Sequence, residues 1–108
     1  SATVDWNGQQ IEGATKDVMS LGDLEAKWKS VGWVVLHMNG NKMSEVIDTL
    51  AQAKALTGKG QPIVILMKTD MGYGVDFMMG SHHWHGVAPN DEQKDKALAQ
   101  LEETLGDY

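Results

Sequence analysis

The chain has 108 residues, 42% of them hydrophobic, with a net charge of −6 and no cysteine. That is one domain with a modest core, and the scattered basic residues argue against a nucleic-acid partner. A disulfide framework or thiolate metal site is excluded by the absence of cysteine. No run of about eighteen apolar residues occurs and no basic-then-apolar leader is present, so no membrane span or secretory signal is expected. The composition fits the cytoplasm. Any anionic ligand would have to be held by a metal ion and local dipoles, because the overall field repels it.

Thr3-Val4-Asp5 reads as the end of a strand, and the first residue, Ser1, suggests a chain trimmed or begun in mid-domain. Ser20 with Asp23 predicts a helix cap, after which Leu24, Trp28 and Val31 share one helical face. Trp33 to Met38 is apolar apart from His37 and predicts a buried strand, closed by a turn at Asn39-Gly40. His37 reads as a core or edge histidine without a catalytic role.

A second helix is predicted from Met43 to Leu56, with Val46, Leu50 and Ala53 on its inner face. Gly58 and Gly60 break it, and Ile63 to Met67 forms a strand apolar on both faces, as in a sheet covered by helices. Strand, helix and strand with short connections make a parallel crossover, so the fold class is α/β with a parallel sheet and flanking helices. Lys68 to Asn90 lacks periodicity and carries four glycines and three of the four histidines; loops this long inside compact domains are usually functional or disordered. The last helix begins near Pro89, with Asn90 and Gln93 as a capping pair and Leu98, Leu101 and Leu105 as an apolar stripe. Trp28, Trp33, Leu50 and Leu66 read as core.

Three clusters could carry chemistry. In Asp5-Trp6-Asn7-Gly8-Gln9-Gln10-Ile11-Glu12-Gly13, Asn7 offers a neutral oxygen just past a strand end, where open α/β sheets bind ligands and where magnesium could find an oxygen donor. In Lys68-Thr69-Asp70-Met71-Gly72-Tyr73-Gly74-Val75, the glycines allow a ligand close to the backbone. In Gly80-Ser81-His82-His83-Trp84-His85-Gly86, the histidines suggest either a zinc site or one polar catalyst beside a cofactor.

Together these segments, with Lys27-Trp28, Gly32-Trp33 and Trp84-His85-Gly86-Val87-Ala88-Pro89-Asn90-Asp91-Glu92, resemble the transketolase family in order and spacing. The likeness is to the split bacterial form with separate N-terminal and C-terminal subunits, and to the C-terminal half of its thiamine-diphosphate-binding (PP-type) domain. The resemblance implies transfer of a two-carbon ketol unit from a ketose to an aldose phosphate, as in the pentose phosphate pathway. The implied cofactors are thiamine diphosphate and magnesium, and the implied partners are the C-terminal subunit or the rest of the chain, within an oligomer.

Under the resemblance, Asn7 through its side-chain oxygen and Gln9 through its carbonyl are metal ligands. Ile11 lies by the thiazolium, Met71 and Gly72 line the cofactor, and His85 is both catalytic and near the diphosphate and the donor sugar. The family's Gly-Asp-Gly turn and upstream histidines have no counterpart after Ser1. The 108 residues alone are therefore expected to be inactive and without cofactors. Met71 stands where many split-type members have lysine, and Asn39-Gly40-Asn41-Lys42 departs from Asp-Gly-His-Asp. The alternative expectation is a non-catalytic transketolase-like interaction module that recruits a partner at its Thr3–Asp5 strand edge.

Overall fold

Five consecutive apolar residues, Ile63 to Met67, set the centre of the molecule. In the computed structural model, which describes residues 1–10 and 12–102, they form most of β5 (Ile63–Lys68). Before it in the chain come β1 (Ala2–Trp6), β2 (Gln9–Gln10), β3 (Gly13–Ala14), α1 (Thr15–Val18), α2 (Leu24–Ser30), β4 (Val34–Asn39) and α3 (Met43–Leu56). After it come a 3-10 turn, His82–Trp84, and α4 (Asp91–Gln100).

The main sheet has the order β1-β5-β4 and is parallel throughout. Ile63, Val64, Ile65 and Leu66 are all buried, with Val64 fully so. A strand paired on both sides can be apolar on both faces, and its continuous run is the signature of that position. On one face Ile63 and Ile65 join Met38 of β4 and Ala53 of α3, with Val34, Leu36, Val46 and Leu56 packed around them. β2 and β3 form a separate small antiparallel ladder.

The helix ends follow local chemistry. Asn90 caps α4 by accepting from the Gln93 N–H at 2.8 Å, and the Gln93 side chain accepts from the Asn90 N–H at 2.9 Å. This is the reciprocal capping box expected from the sequence. For α2 the cap is Asp23, whose carboxylate accepts from the Ala26 N–H at 2.8 Å; Ser20 makes its own turn, accepting from the Gly22 N–H.

Several expectations about faces are corrected. Val31 lies beyond the end of α2 and is exposed, so only the preceding turns pack. β4 carries a mostly apolar run yet sits at the sheet edge, and Met38 alone of its residues is buried. On α3 the inner positions are Val46, Thr49 and Ala53; Leu50 is 49% exposed and belongs, with Met43 and Ile47, to an apolar outer face. Trp28 and Trp33 are half-buried and meet edge to face at 4.8 Å. Leu98 and Leu101 of the expected C-terminal stripe are exposed, and Leu105 lies outside the described residues.

The accessible surface is 7671 Å², whereas a compact monomer of 11.8 kDa would show about 5,900 Å². The chain is a slab with extents of 52 × 40 × 16 Å, and large apolar side chains such as Val31, Met43, Ile47 and Leu98 are exposed.

These burials predict opposite outcomes for two leucines. Leu66→Ala should destabilise the fold by about 2–5 kcal/mol through a cavity in the central strand. Leu50→Ala should change stability by roughly 0.5 kcal/mol or less. Urea unfolding of the two variants against the parent reads both values.

Candidate functional site

Parallel strands end on the same side of a sheet, and the loops that follow β1 and β5 meet there. Between them lies a cleft of about 480 Å³ whose walls include Asn7, Gln9, Lys16, Lys68, Asp70 and Met71. The place matches the rule that open α/β sheets take ligands outside the carboxyl ends of their strands.

The β1 end is shaped by a side-chain turn. Asn7 Oδ1 accepts from the Gln9 N–H at 2.9 Å, the Asx geometry that Asn adopts readily. Gln9 thus enters the turn through its backbone. The Gly8 carbonyl accepts from the Thr15 N–H at 2.9 Å and fixes the return of the chain into α1.

At the β5 end, three strand-end segments are tied together. Thr69 Oγ1 donates to the Asp5 carboxylate, joining the loop to β1. The Gly40 N–H donates to the Lys68 carbonyl at 2.7 Å, and the Asp70 N–H donates to Asn41 Oδ1 at 2.7 Å. Asn41 is itself held, its N–H donating to Asn39 Oδ1 at 3.0 Å. Glu45 of α3 then accepts from the Asn39 N–H at 3.1 Å. A side chain at Gly40 would stand 2.5 Å from Met67 Cγ and 2.7 Å from Thr69 Cγ2, so glycine is what permits this approach.

Met71 lies on the cleft wall. Gly72 is packed against the next turn instead, where an added Cβ would come within 2.8 Å of the Met78 carbonyl carbon. The rest of the loop is braced from the C-terminal side. Gln100 of α4 accepts from the Asp76 N–H at 2.8 Å and donates to the Asp76 carboxylate at 2.9 Å. Trp84 donates its indole N–H to the Phe77 carbonyl at 3.1 Å and stacks edge to face on Phe77 at 5.5 Å.

The sequence-predicted residues therefore divide. Asn7, Gln9 and Met71 come together in the cleft; Gly72 supports the loop behind it. His85 follows the 3-10 turn, is exposed, and stands outside the cleft wall. Ile11 lies outside the described residues. His82 and His83 stack on each other at 4.3 Å, and among the described residues no three His, Cys, Asp or Glu side chains group to hold a metal ion. His37, on the edge strand, bonds Glu25 at 2.9 Å, which also pairs with Lys29. Trp6, Lys68 and Asp70 belong to the motif segments, but their meeting, like that of Lys68 with the Asn39-Gly40-Asn41 turn, depends on the register Trp6↔Lys68 and Asn39↔Lys68 and leaves no signal in the local sequence; Lys16 joins the cleft wall from α1.

Residues 2–106 match the family described as "Transketolase, thiamine diphosphate binding domain". The chain belongs to the transketolase family. It is 36% identical over 104 residues to one subunit of the apulose-4-phosphate transketolase of Phocaeicola vulgatus, covering 96% of this chain and 36% of that protein. It is also 36% identical over 101 residues to the 6-deoxy-6-sulfo-D-fructose transketolase subunit SqwG of a Clostridium species, covering 94% of this chain and 36% of that protein. The crystal structure of transketolase from Campylobacter jejuni superposes with a TM-score of 0.79 at 31% identity, over 91% of this chain and 15% of that one. The chain thus spans about a third of the length of the transketolase subunits it matches. The α/β class with a parallel sheet and flanking helices is the fold of this family member. Among the described residues no helix is long and apolar enough to cross a membrane.

Two measurements check the hydrogen-bonded tie between strand ends. Asn41→Ala should speed hydrogen exchange at the Asp70 amide roughly five-fold, the worth of one hydrogen bond. The Glu45 carboxyl is held below its ordinary value by the Asn39 N–H first and Lys42 second. A folded value below the unfolded one gives stability that is complete above the unfolded value and is lost as pH falls through the folded one. A carboxyl titration followed by NMR should show a lowered midpoint for Glu45, moved part of the way back up in Lys42→Met.

Proposed function

We propose that these residues form part of the cofactor site of a transketolase that moves a two-carbon ketol unit from a ketose to an aldose phosphate. The observation that carries the reading is the convergence of Asn7, Gln9 and Met71 on one cleft at the carboxyl ends of β1 and β5, within a chain that matches the thiamine-diphosphate-binding domain.

The donor set fits the group. Magnesium takes oxygen ligands and commonly bridges a diphosphate to a few protein groups. Asn7 Oδ1 accepts one hydrogen bond, from Gln9, and an amide oxygen has a second lone pair to give. Asn7 Oδ1 and the Gln9 carbonyl would hold the metal, while Met71 would bound the cofactor and Gly72 keep its loop close. When bound, thiamine diphosphate supplies the carbanion-stabilising chemistry. His85 would hydrogen-bond the sugar hydroxyls and exchange a proton with them, the work to which an imidazole is suited.

Relatives that are named as single subunits of transketolases support a partner subunit for this chain. The proposal extends to an oligomer that acts on sugar phosphates in the cytoplasm. The surface in excess of a compact monomer's fits a domain that is covered by further protein. On this reading the 108 residues by themselves do not turn over substrate, since they match about a third of each such relative.

Calorimetric titration of thiamine diphosphate with magnesium into the protein at its natural length tests the reading. Asn7→Ala should weaken binding roughly ten- to a hundred-fold, the worth of a contact to a charged group. His85→Ala should weaken binding less than Asn7→Ala does and lower turnover by roughly a hundred-fold or more. Absence of any thiamine diphosphate binding to the parent, together with tight association through the β1 edge, would replace this reading by the interaction module.

A further inference from the structure

We propose that Lys68 is the residue that binds the anionic end of the cofactor, by direct contact of its ammonium with the diphosphate beside the Asn7–Gln9 turn. The inference rests on the cofactor reading given above and adds a residue to it.

All nine basic residues of the chain are lysines, in a molecule of net charge −6. A polyanion approaching it meets a repulsive field unless a local cation offsets it. Lys29, Lys42, Lys94 and Lys96 are each spent on a carboxylate, at 2.5, 3.1, 3.3 and 2.7 Å respectively. Lys68 makes no ion pair among the described residues. Asp70, on the same cleft wall, stays outside ion-pairing range of it.

The backbone of Lys68 is fixed by strand pairing on both sides. It is the last residue of β5, paired in register with Trp6 on one side and Asn39 on the other, after four buried residues. Register partners on parallel strands share a face, so Lys68 and Trp6 lie side by side, and the ammonium stands 5.8 Å from the ring centroid. It would be 3.7 Å from a Cβ at Gly8, which puts it over the turn that presents Asn7 and Gln9. A ring face attracts a cation without neutralising it. The charge is therefore held at the mouth of the cleft and remains free to meet an anion. Lys16 also lines the cleft, from the four-residue helix α1 and not from the central strand.

The test is calorimetric affinity for thiamine diphosphate with magnesium, using the protein at its natural length. Lys68→Met keeps an unbranched stem of similar length and removes the charge; Lys68→Arg keeps the charge. Lys59→Met removes an equal charge from the loop before β5, at the opposite end of the sheet. Lys68→Met should weaken binding roughly ten-fold and flatten its dependence on salt. Lys68→Arg should restore most of the affinity, and Lys59→Met should bind as the parent does. Unchanged affinity in Lys68→Met overturns the proposal. Equal weakening by Lys59→Met overturns it too, by assigning the effect to the overall field. So does a fall in the melting point of the cofactor-free protein shared by both Lys68 variants, which makes Lys68 a packing residue. A parent protein that fails to bind thiamine diphosphate at all sinks the cofactor reading itself, and this inference with it.

Discussion

Pairing of β1 and β4 onto the two sides of β5 is the constraint from which the cleft follows. Because all three strands run the same way, their carboxyl ends are brought to one edge of the sheet. The segments that continue from them, Asn7-Gly8-Gln9, Gly40-Asn41 and Thr69-Asp70-Met71, have nowhere else to lie. An antiparallel arrangement would have sent every second loop to the far side. The four buried residues of β5 supply the apolar area that holds this arrangement, and they do so without any side chain of the site taking part.

Packing alone would leave those loops loose, since loops bury little apolar surface. Hydrogen bonds supply the definition. One line runs from Glu45 at the start of α3 through the Asn39 N–H, and a second from Asn39 Oδ1 through Asn41 to the Asp70 N–H. On the other side Asp5 receives Thr69. The cleft is thus bounded by groups whose partners belong to three different strand ends, which is how a thin sheet can present a defined surface. Further along, the pair of hydrogen bonds between Asp76 and Gln100 makes the long loop depend on α4.

Much of this was legible in the residues before any coordinates. The α3 boundaries, the Asn90–Gln93 box and the apolar run of β5 each follow from local rules, namely helix breakers, cap chemistry and continuous hydrophobicity. Asn7, Gln9 and Met71 line one cleft, and the resemblance in motif order is what singles them out in the sequence. What was not legible depends on tertiary placement. Val34 to Leu36 look as apolar as Ile63 to Leu66, yet one strand is at the edge and the other in the centre, and only pairing decides that. Leu50 looked inward because helical periodicity has no origin; Thr49 and Ala53 fix it. In the sequence Lys68 is only part of a motif; its place over Trp6 depends on register between strands sixty residues apart, which leaves no local trace.

The slab shape has a thermodynamic consequence. Heat capacity of unfolding scales with apolar surface newly exposed to water, and this chain already exposes roughly 30% more surface than a compact monomer of its mass. Its stability should therefore vary less with temperature than its length suggests, with a shallow maximum instead of a pronounced dome. A partner that covers the broad faces would change both the height and the curvature of that profile.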